Sequence, residues 1–392
     1  MRILTIGAGG VGTAAAGIAA RRDFFDRFVV ADHDPARARA AANHDDRFVA
    51  ERIDASSADQ VTALCRKHAV THVLNAVDPR FVMPVFEGAL AAGAGYLDMA
   101  MSMSDASTGV RLGDAQFARQ DAWSAAGGLA LVGMGVEPGL SDVFARYAAD
   151  HLFSTIDEIG IRDGGNLVVD GHPFAPSFSI WTTIEECLNP PVVYERDRGW
   201  FTTEPFSEPE TFDFPAGIGP VECVNVEHEE VLLIPRWVDA GRVTFKYGLG
   251  KEFIDVLKTL RTLGLDRTQP VDVGGTMVSP RDLVAAVLPD PATLGDRMTG
   301  ATCAGTLVSG LDKQGRPSTV YLYHVVDNRW SMTEYGSQAV VWQTAVNPVV
   351  ALELLAAGAW SGTGVLGPEA FDAVPFLDLL TAYGSPWAMR TR

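Results

Sequence analysis

The run Gly7-Ala8-Gly9-Gly10-Val11-Gly12 has the residue types and spacing of a phosphate-cradling turn. It follows the apolar Ile3-Leu4-Thr5-Ile6 and precedes an Ala-rich stretch, so the pattern predicts a strand, a glycine turn and a helix. Gly7 permits the turn, Gly9 lets the backbone approach a pyrophosphate at the positive helix N-terminus, and Gly12 lets helix and strand pack closely; Gly10 and Val11 open the helix. The next apolar run, Phe28-Val29-Val30-Ala31, ends in an acid, Asp32, twenty residues beyond Gly12. A carboxylate there accepts hydrogen bonds from the adenosine ribose and repels a 2′-phosphate, so NAD is expected as the cofactor, with nearby Arg37 leaving NADP open. Asp54-Ala55, after a third strand, is placed beside the adenine, and Asn75-Ala76 ends a fourth strand where ligands of open α/β sheets collect. A helix cap or a solvated turn is the competing reading of Asp54 and of Asp78.

Acid–base chemistry has five candidates: His228, Asp98, Glu137, Lys246 and Glu229. Asp98 ends the strand Tyr96-Leu97-Asp98 on the ligand side of the sheet, and Glu137 sits in the loop Gly135-Val136-Glu137-Pro138-Gly139. His228 lies between Glu227 and Glu229, carboxylates that would orient it and raise its pKa. Lys246, in Phe245-Lys246-Tyr247, offers a cation to a substrate carboxylate. A single His is more often structural, and a strand Lys more often merely exposed. No metal set is expected: the His228 segment lacks H-E-x-x-H spacing, and Cys65, Cys187, Cys223 and Cys303 are scattered, as for buried reduced thiols. There is no G-x-S-x-G elbow and no Walker lysine motif.

These residues need a scaffold, and its rhythm is legible. Over the first 150 residues, short β-rich runs alternate with amphipathic stretches such as Ala58–His68 and Phe81–Ala92, which predicts a doubly wound parallel sheet, a Rossmann α/β fold. After about residue 155, strand-like runs dominate (Ile156–Arg162, Val192–Glu195, Val221–Val226), and Asp312-Lys313-Gln314-Gly315 joins two of them as a hairpin. This central part reads as an α+β substrate domain, an antiparallel sheet with helices on one side. Gly336–Ala357 reads as a buried helix that Pro348 should kink or split, in a tail returning to the first domain. The expected division is residues 1–140 plus 336–392 as the dinucleotide-binding domain and 141–335 as the substrate domain.

With 47% apolar and 20% charged residues among 392, the chain is globular in composition. Its net charge of −18 argues against a nucleic-acid partner, whose phosphates need a basic face, and fits long-range steering of a cation. No apolar run suggests a membrane span. A strand starting beside Met1 leaves no room for a signal peptide, so the cytoplasm is expected.

Taken together, the glycine turn, Tyr96-Leu97-Asp98, Gly135–Gly139, Val226-Glu227-His228-Glu229-Glu230 and the tail Gly362-Thr363-Gly364-Val365-Leu366-Gly367-Pro368-Glu369 resemble the saccharopine dehydrogenase-like family. The resemblance implies a Rossmann domain closed by the tail, a central substrate and dimerisation domain, a homodimer, and NAD(P)-dependent hydride transfer at a carbon–nitrogen bond of an amino acid such as saccharopine or lysine. Family members commonly carry Asp where this chain has Glu137. A polyamine-pathway activity, such as a carboxynorspermidine dehydrogenase or homospermidine synthase acting on a diamine, is the alternative; a non-catalytic NAD-binding sensor is the alternative of another class. His228 is expected to move the proton, Asp98 or Glu137 to bind the substrate ammonium, and Lys246 its carboxylate.

Overall fold

A computed structural model describes residues 1–105, 107–172 and 174–392. The N-terminal strands are β1 (Arg2–Ile6), β2 (Arg27–Asp32), β3 (Phe48–Arg52), β4 (His72–Asn75), β5 (Gly95–Asp98) and β6 (Leu129–Leu131). With the tail strand Gly364–Leu366 they form one parallel sheet of seven strands. Its order, reading inward from the tail strand, is β6, β5, β4, β1, β2, β3, a Rossmann arrangement whose direction of winding reverses between β1 and β4. Reversal sends the crossovers after β1 and β4 to opposite faces, and a crevice opens between them. Most core residues of these strands are fully buried on both faces, which is why they read as unbroken apolar runs rather than as alternations.

The second sheet has nine strands. Its long centre is β7 (Phe153–Gly165), paired in parallel with Arg242–Gly248 and antiparallel to Ala301–Asp312. Ala301–Asp312 and Pro317–Asp327 form the expected hairpin, and Asp312 Oδ1 accepts from Gln314 N (2.8 Å) and Arg316 N (2.9 Å) in its turn. The sheet is therefore mixed rather than wholly antiparallel.

Ala339–Ala357 runs through Pro348 as one helix and is not split. Fourteen of its residues are buried, among them Val346, Val349 and Val350 on either side of the proline, so packing outweighs the lost backbone hydrogen bond. It packs against α1 (Gly10–Ala19), the helix that follows the glycine turn. It is the one described helix long and apolar enough to cross a membrane, but 72% of that stretch is buried inside the protein, as expected of a core helix. The chain's last strand, Ala388–Thr391, pairs with Pro317–Asp327, so the tail contributes to both sheets.

Candidate active site

The glycine turn is built as its residue types demand. Gly7 has φ +104°, and a Cβ there would lie 2.4 Å from the carbonyl oxygen of Ala76. A Cβ on Gly12 would lie 1.9 Å from the Gly7 oxygen, so helix and turn meet at backbone distance. Gly9, the N-cap of α1, faces open space with nothing within 4 Å of the Cβ position. That space lies over first-turn N–H groups without helical acceptors, a cradle that fits a pyrophosphate. Asp32 is 7% exposed and accepts from Ala8 N at 2.8 Å and Asp34 N at 2.9 Å, so it braces the turn from the end of β2 with lone pairs to spare. Asp54 is exposed after β3; its Oδ1 is tied to Ser56 N (3.0 Å) and Oγ (2.7 Å), while Ala55 is half-buried beside it. The set fits a dinucleotide with its adenosine end at β2.

Beyond the turn, Val11, Asn75, Ala76 and Val77 form one wall of a cleft of about 310 Å³, and the second sheet supplies the other. Among the described residues five carboxylic acids line this space, Asp78, Glu137, Asp163, Glu186 and Glu229, together with His228 and Tyr247. No Lys or Arg is among its lining residues.

His228 sits in the link between the strand Gly219–Asn225 and a helix, Glu230–Trp237, that the internal Pro235 conceals in the sequence. The imidazole is 6% exposed and stacks on Phe245, with 3.9 Å between ring centroids and 5° between planes. Its Nδ1 lies 2.5 Å from Glu230 Oε2 and 3.4 Å from Glu229 Oε2. Burial disfavours the imidazolium, but Glu230, Glu229 and Glu186 together outweigh it and raise the His228 pKa to about 10. Glu230 is held in turn by Ser141 Oγ at 2.9 Å, and Glu229 by Met101 N at 3.1 Å. His228, Glu229 and Glu230 bring ligand atoms within 4.8 Å of one another, but this proximity is accounted for by the ion pairing itself.

Glu137 reaches the cleft from a loop closed by Gly135 N donating to Pro138 O at 2.7 Å. Its carboxyl lies against that of Asp163; burial pushes both pKa values up, with the Asp163 charge adding to the rise at Glu137, while Asp163 reaches about 6 although Glu137 opposes the rise there. Glu186 is pushed up to about 8, first by burial.

Two candidates from the sequence fall outside the cleft. Asp98 is 1% exposed and turned inward: it accepts from Gly133 N (2.7 Å), Gln116 Nε2 (2.7 Å) and Tyr96 Oη (2.9 Å). Tyr96 Oη also accepts from Asn75 Nδ2 at 2.9 Å, so Asn75 and Asp98 are two ends of one buried chain bracing β4 against β5. The Asp98 carboxyl has no capacity directed at a ligand, and burial raises its pKa to about 7 despite these donors. Lys246 lies on the opposite face of the second sheet. Strand alternation puts Phe245 and Tyr247 on the His228 side and Lys246 on the other, where its Nζ pairs with Glu210 at 3.1 Å beside Arg162. It is unavailable to a substrate carboxylate in the cleft.

Asp163, Glu186, Glu230 and Tyr247 were missed by the sequence reading. Tyr247 had a signal, since it shares the alternating face of Phe245 in a strand already singled out. Glu230 lies two residues beyond His228 in the same acid-rich run, whereas Asp163 and Glu186 come from segments brought near His228 only by the fold.

Two family models cover almost the whole chain: residues 3–131 match the saccharopine dehydrogenase NADP binding domain, and residues 135–385 match the saccharopine dehydrogenase C-terminal domain. A carboxynorspermidine synthase from Vibrio alginolyticus is 29% identical over 402 residues, covering 99% of this chain and 96% of that protein. A carboxyaminopropylagmatine dehydrogenase from Synechocystis sp. is 29% identical over 391 residues, covering 98% of this chain and 96% of the relative. In fold, the chain is similar to the apo saccharopine dehydrogenase (L-Glu forming) of Saccharomyces cerevisiae, with a TM-score of 0.73, 13% identity, and 100% and 99% of the two chains covered.

Proposed function

Because the chain belongs to the saccharopine dehydrogenase family and is an NAD(P)-dependent oxidoreductase, we propose that it acts at the carbon–nitrogen bond of a carboxylated polyamine, joining or parting an amino-acid aldehyde and a diamine. One observation carries this choice: among the described residues the cleft at the cofactor wall holds five acids and no Lys or Arg. A substrate rich in carboxylates, such as saccharopine, would be desolvated beside like charges, whereas a diamine meets complementary ones. The names of the relatives agree with a polyamine-type substrate. The net charge of −18 favours approach of a cation from a distance.

The nicotinamide, when bound, supplies or accepts the hydride. The chain's own residues orient the substrate and move one proton. His228, charged over the neutral range through Glu230, donates a proton to the substrate nitrogen in the reductive direction and recovers one in the oxidative direction. Glu186 and the Glu137–Asp163 pair receive the substrate ammonium. Asp32 supports NAD as the preferred cofactor, and the exposed Arg37 and Arg39 shortly after it keep NADP open. Four buried, unpaired cysteines support a cytoplasmic setting.

The test follows reduced-nicotinamide absorbance while an amino-acid aldehyde is supplied with 1,3-diaminopropane, putrescine or agmatine, and in the reverse direction with saccharopine or lysine. Turnover with an aldehyde–diamine pair is expected. Turnover confined to saccharopine or lysine would overturn the substrate class. Tight cofactor binding with no turnover on any of these would favour a sensor.

A further inference from the structure

Behind the Glu137–Asp163 pair lies a second chamber of about 150 Å³. It shares Glu137, Asp163, Thr183 and Tyr247 with the first cavity, so the two compartments meet at a neck made by the acid pair. Past the neck its walls hold no charged residue; Leu249 and Phe253 supply apolar surface there, and Gln343 is its most deeply buried polar side chain. Gln343 is 1% exposed, and its orientation is set: Nε2 donates to His324 O at 3.0 Å and lies 3.0 Å from His324 Nδ1. That leaves Oε1 as an acceptor with no donor among the described residues. At the neck, Glu137 Oε1 is buried without a donor. The buried acceptor at the neck is costly while unpaired, and the two acceptors together suit a ligand that brings N–H groups at the end of an alkyl arm.

We propose that this second chamber is a subsite for the far end of the substrate, taking a primary ammonium or guanidinium through Gln343 Oε1 while the alkyl arm passes the Glu137–Asp163 neck. The chamber then acts as a ruler: an arm too short to reach Gln343 leaves that acceptor unpaired, and a longer one satisfies it. This rests on the polyamine reading above and adds to it where the remote nitrogen goes.

The experiment measures binding and turnover in parallel on the full-length protein with reduced cofactor present. Calorimetric titration with 1,3-diaminopropane, putrescine, cadaverine and agmatine is expected to show affinity rising with reach, by about tenfold or more from the shortest to the longest, the value of one charge-assisted hydrogen bond. Gln343→Leu removes the acceptor, and Ala175→Phe narrows the chamber from a half-buried loop position while leaving the Gln343 and His324 side chains in place. Each is expected to collapse the length preference by about tenfold. Cofactor affinity reports whether each variant has folded. A length preference absent in the parent protein, or unchanged in a folded Ala175→Phe variant, overturns the subsite. Length-dependent binding without turnover leaves the subsite standing and removes the reaction; turnover with no length dependence does the reverse.

Discussion

Glu230→Gln separates the charge on the His228 partner from its shape. Glu230 is fully buried, and its two oxygens are spent on His228 Nδ1 and Ser141 Oγ, so the amide occupies the same space with the charge removed. In the parent protein burial disfavours the imidazolium, and Glu230 is the foremost of the groups that overcome this and lift the pKa from 6.5 to about 10. With that charge gone, burial drives the value back toward 6.5 or below. At pH 8 an imidazole of pKa 6.5 is about 3% protonated, so a step that needs the imidazolium slows about thirtyfold, within the usual reach of general acid catalysis. The assay is the pH profile of kcat/KM in the reductive direction for both proteins, with cofactor affinity measured alongside. The parent should hold its rate until the pH nears 10; Glu230→Gln should lose rate from about pH 6.5 upward and approach the parent at pH 5.5. The same linkage applies to stability: a pKa raised on folding stabilises fully below 6.5, and that contribution fades as pH climbs through about 10. A limb that does not move, or an equal loss at every pH, would refute the assignment of His228 as the proton donor.

Asp142 and Glu369 are fully buried beside each other; burial pushes both pKa values up, helped at Asp142 by the Glu369 charge, and Glu369 reaches about 7 although Asp142 opposes the rise there. Folding therefore retains a proton that the unfolded chain loses, and stability falls as pH rises from about 4.5 through 7. Glu369→Gln should stabilise the protein at pH 8 by up to about 3 kcal/mol in urea melts and change little at pH 4. Gly12→Ala drives a methyl into the Gly7 carbonyl and should abolish the fluorescence change on NAD(P)H binding while costing about 1–3 kcal/mol of stability. Lys246→Met should leave the KM of any diamine unchanged, because the lysine faces Glu210 across the sheet, and should cost about 1–3 kcal/mol in thermal melts; a raised KM would return Lys246 to the site.

What was local in the chain was legible in it. The glycine turn, Asp32 at the end of β2 and the alternation of strands and helices depend on neighbours a few residues away, and each carries its geometry in its own spacing. The direction of a side chain does not. Asp98 ends the expected strand, yet Tyr96, Gln116 and Gly133 draw its carboxyl inward. Lys246 occupies the expected strand, but only the packing of the second sheet decides which of its faces meets the cofactor. His228 drew notice through its flanking acids. Its partner Glu230 is two residues away in the chain, but Ser141's support of that carboxylate and the approach of Glu186 and Asp163 join segments some 40 to 90 residues apart. Period-two alternation assigns residues to two faces of a strand, and burial of carboxylates against one another requires the closed core; both outcomes are set by long-range packing, which one-dimensional spacing does not contain.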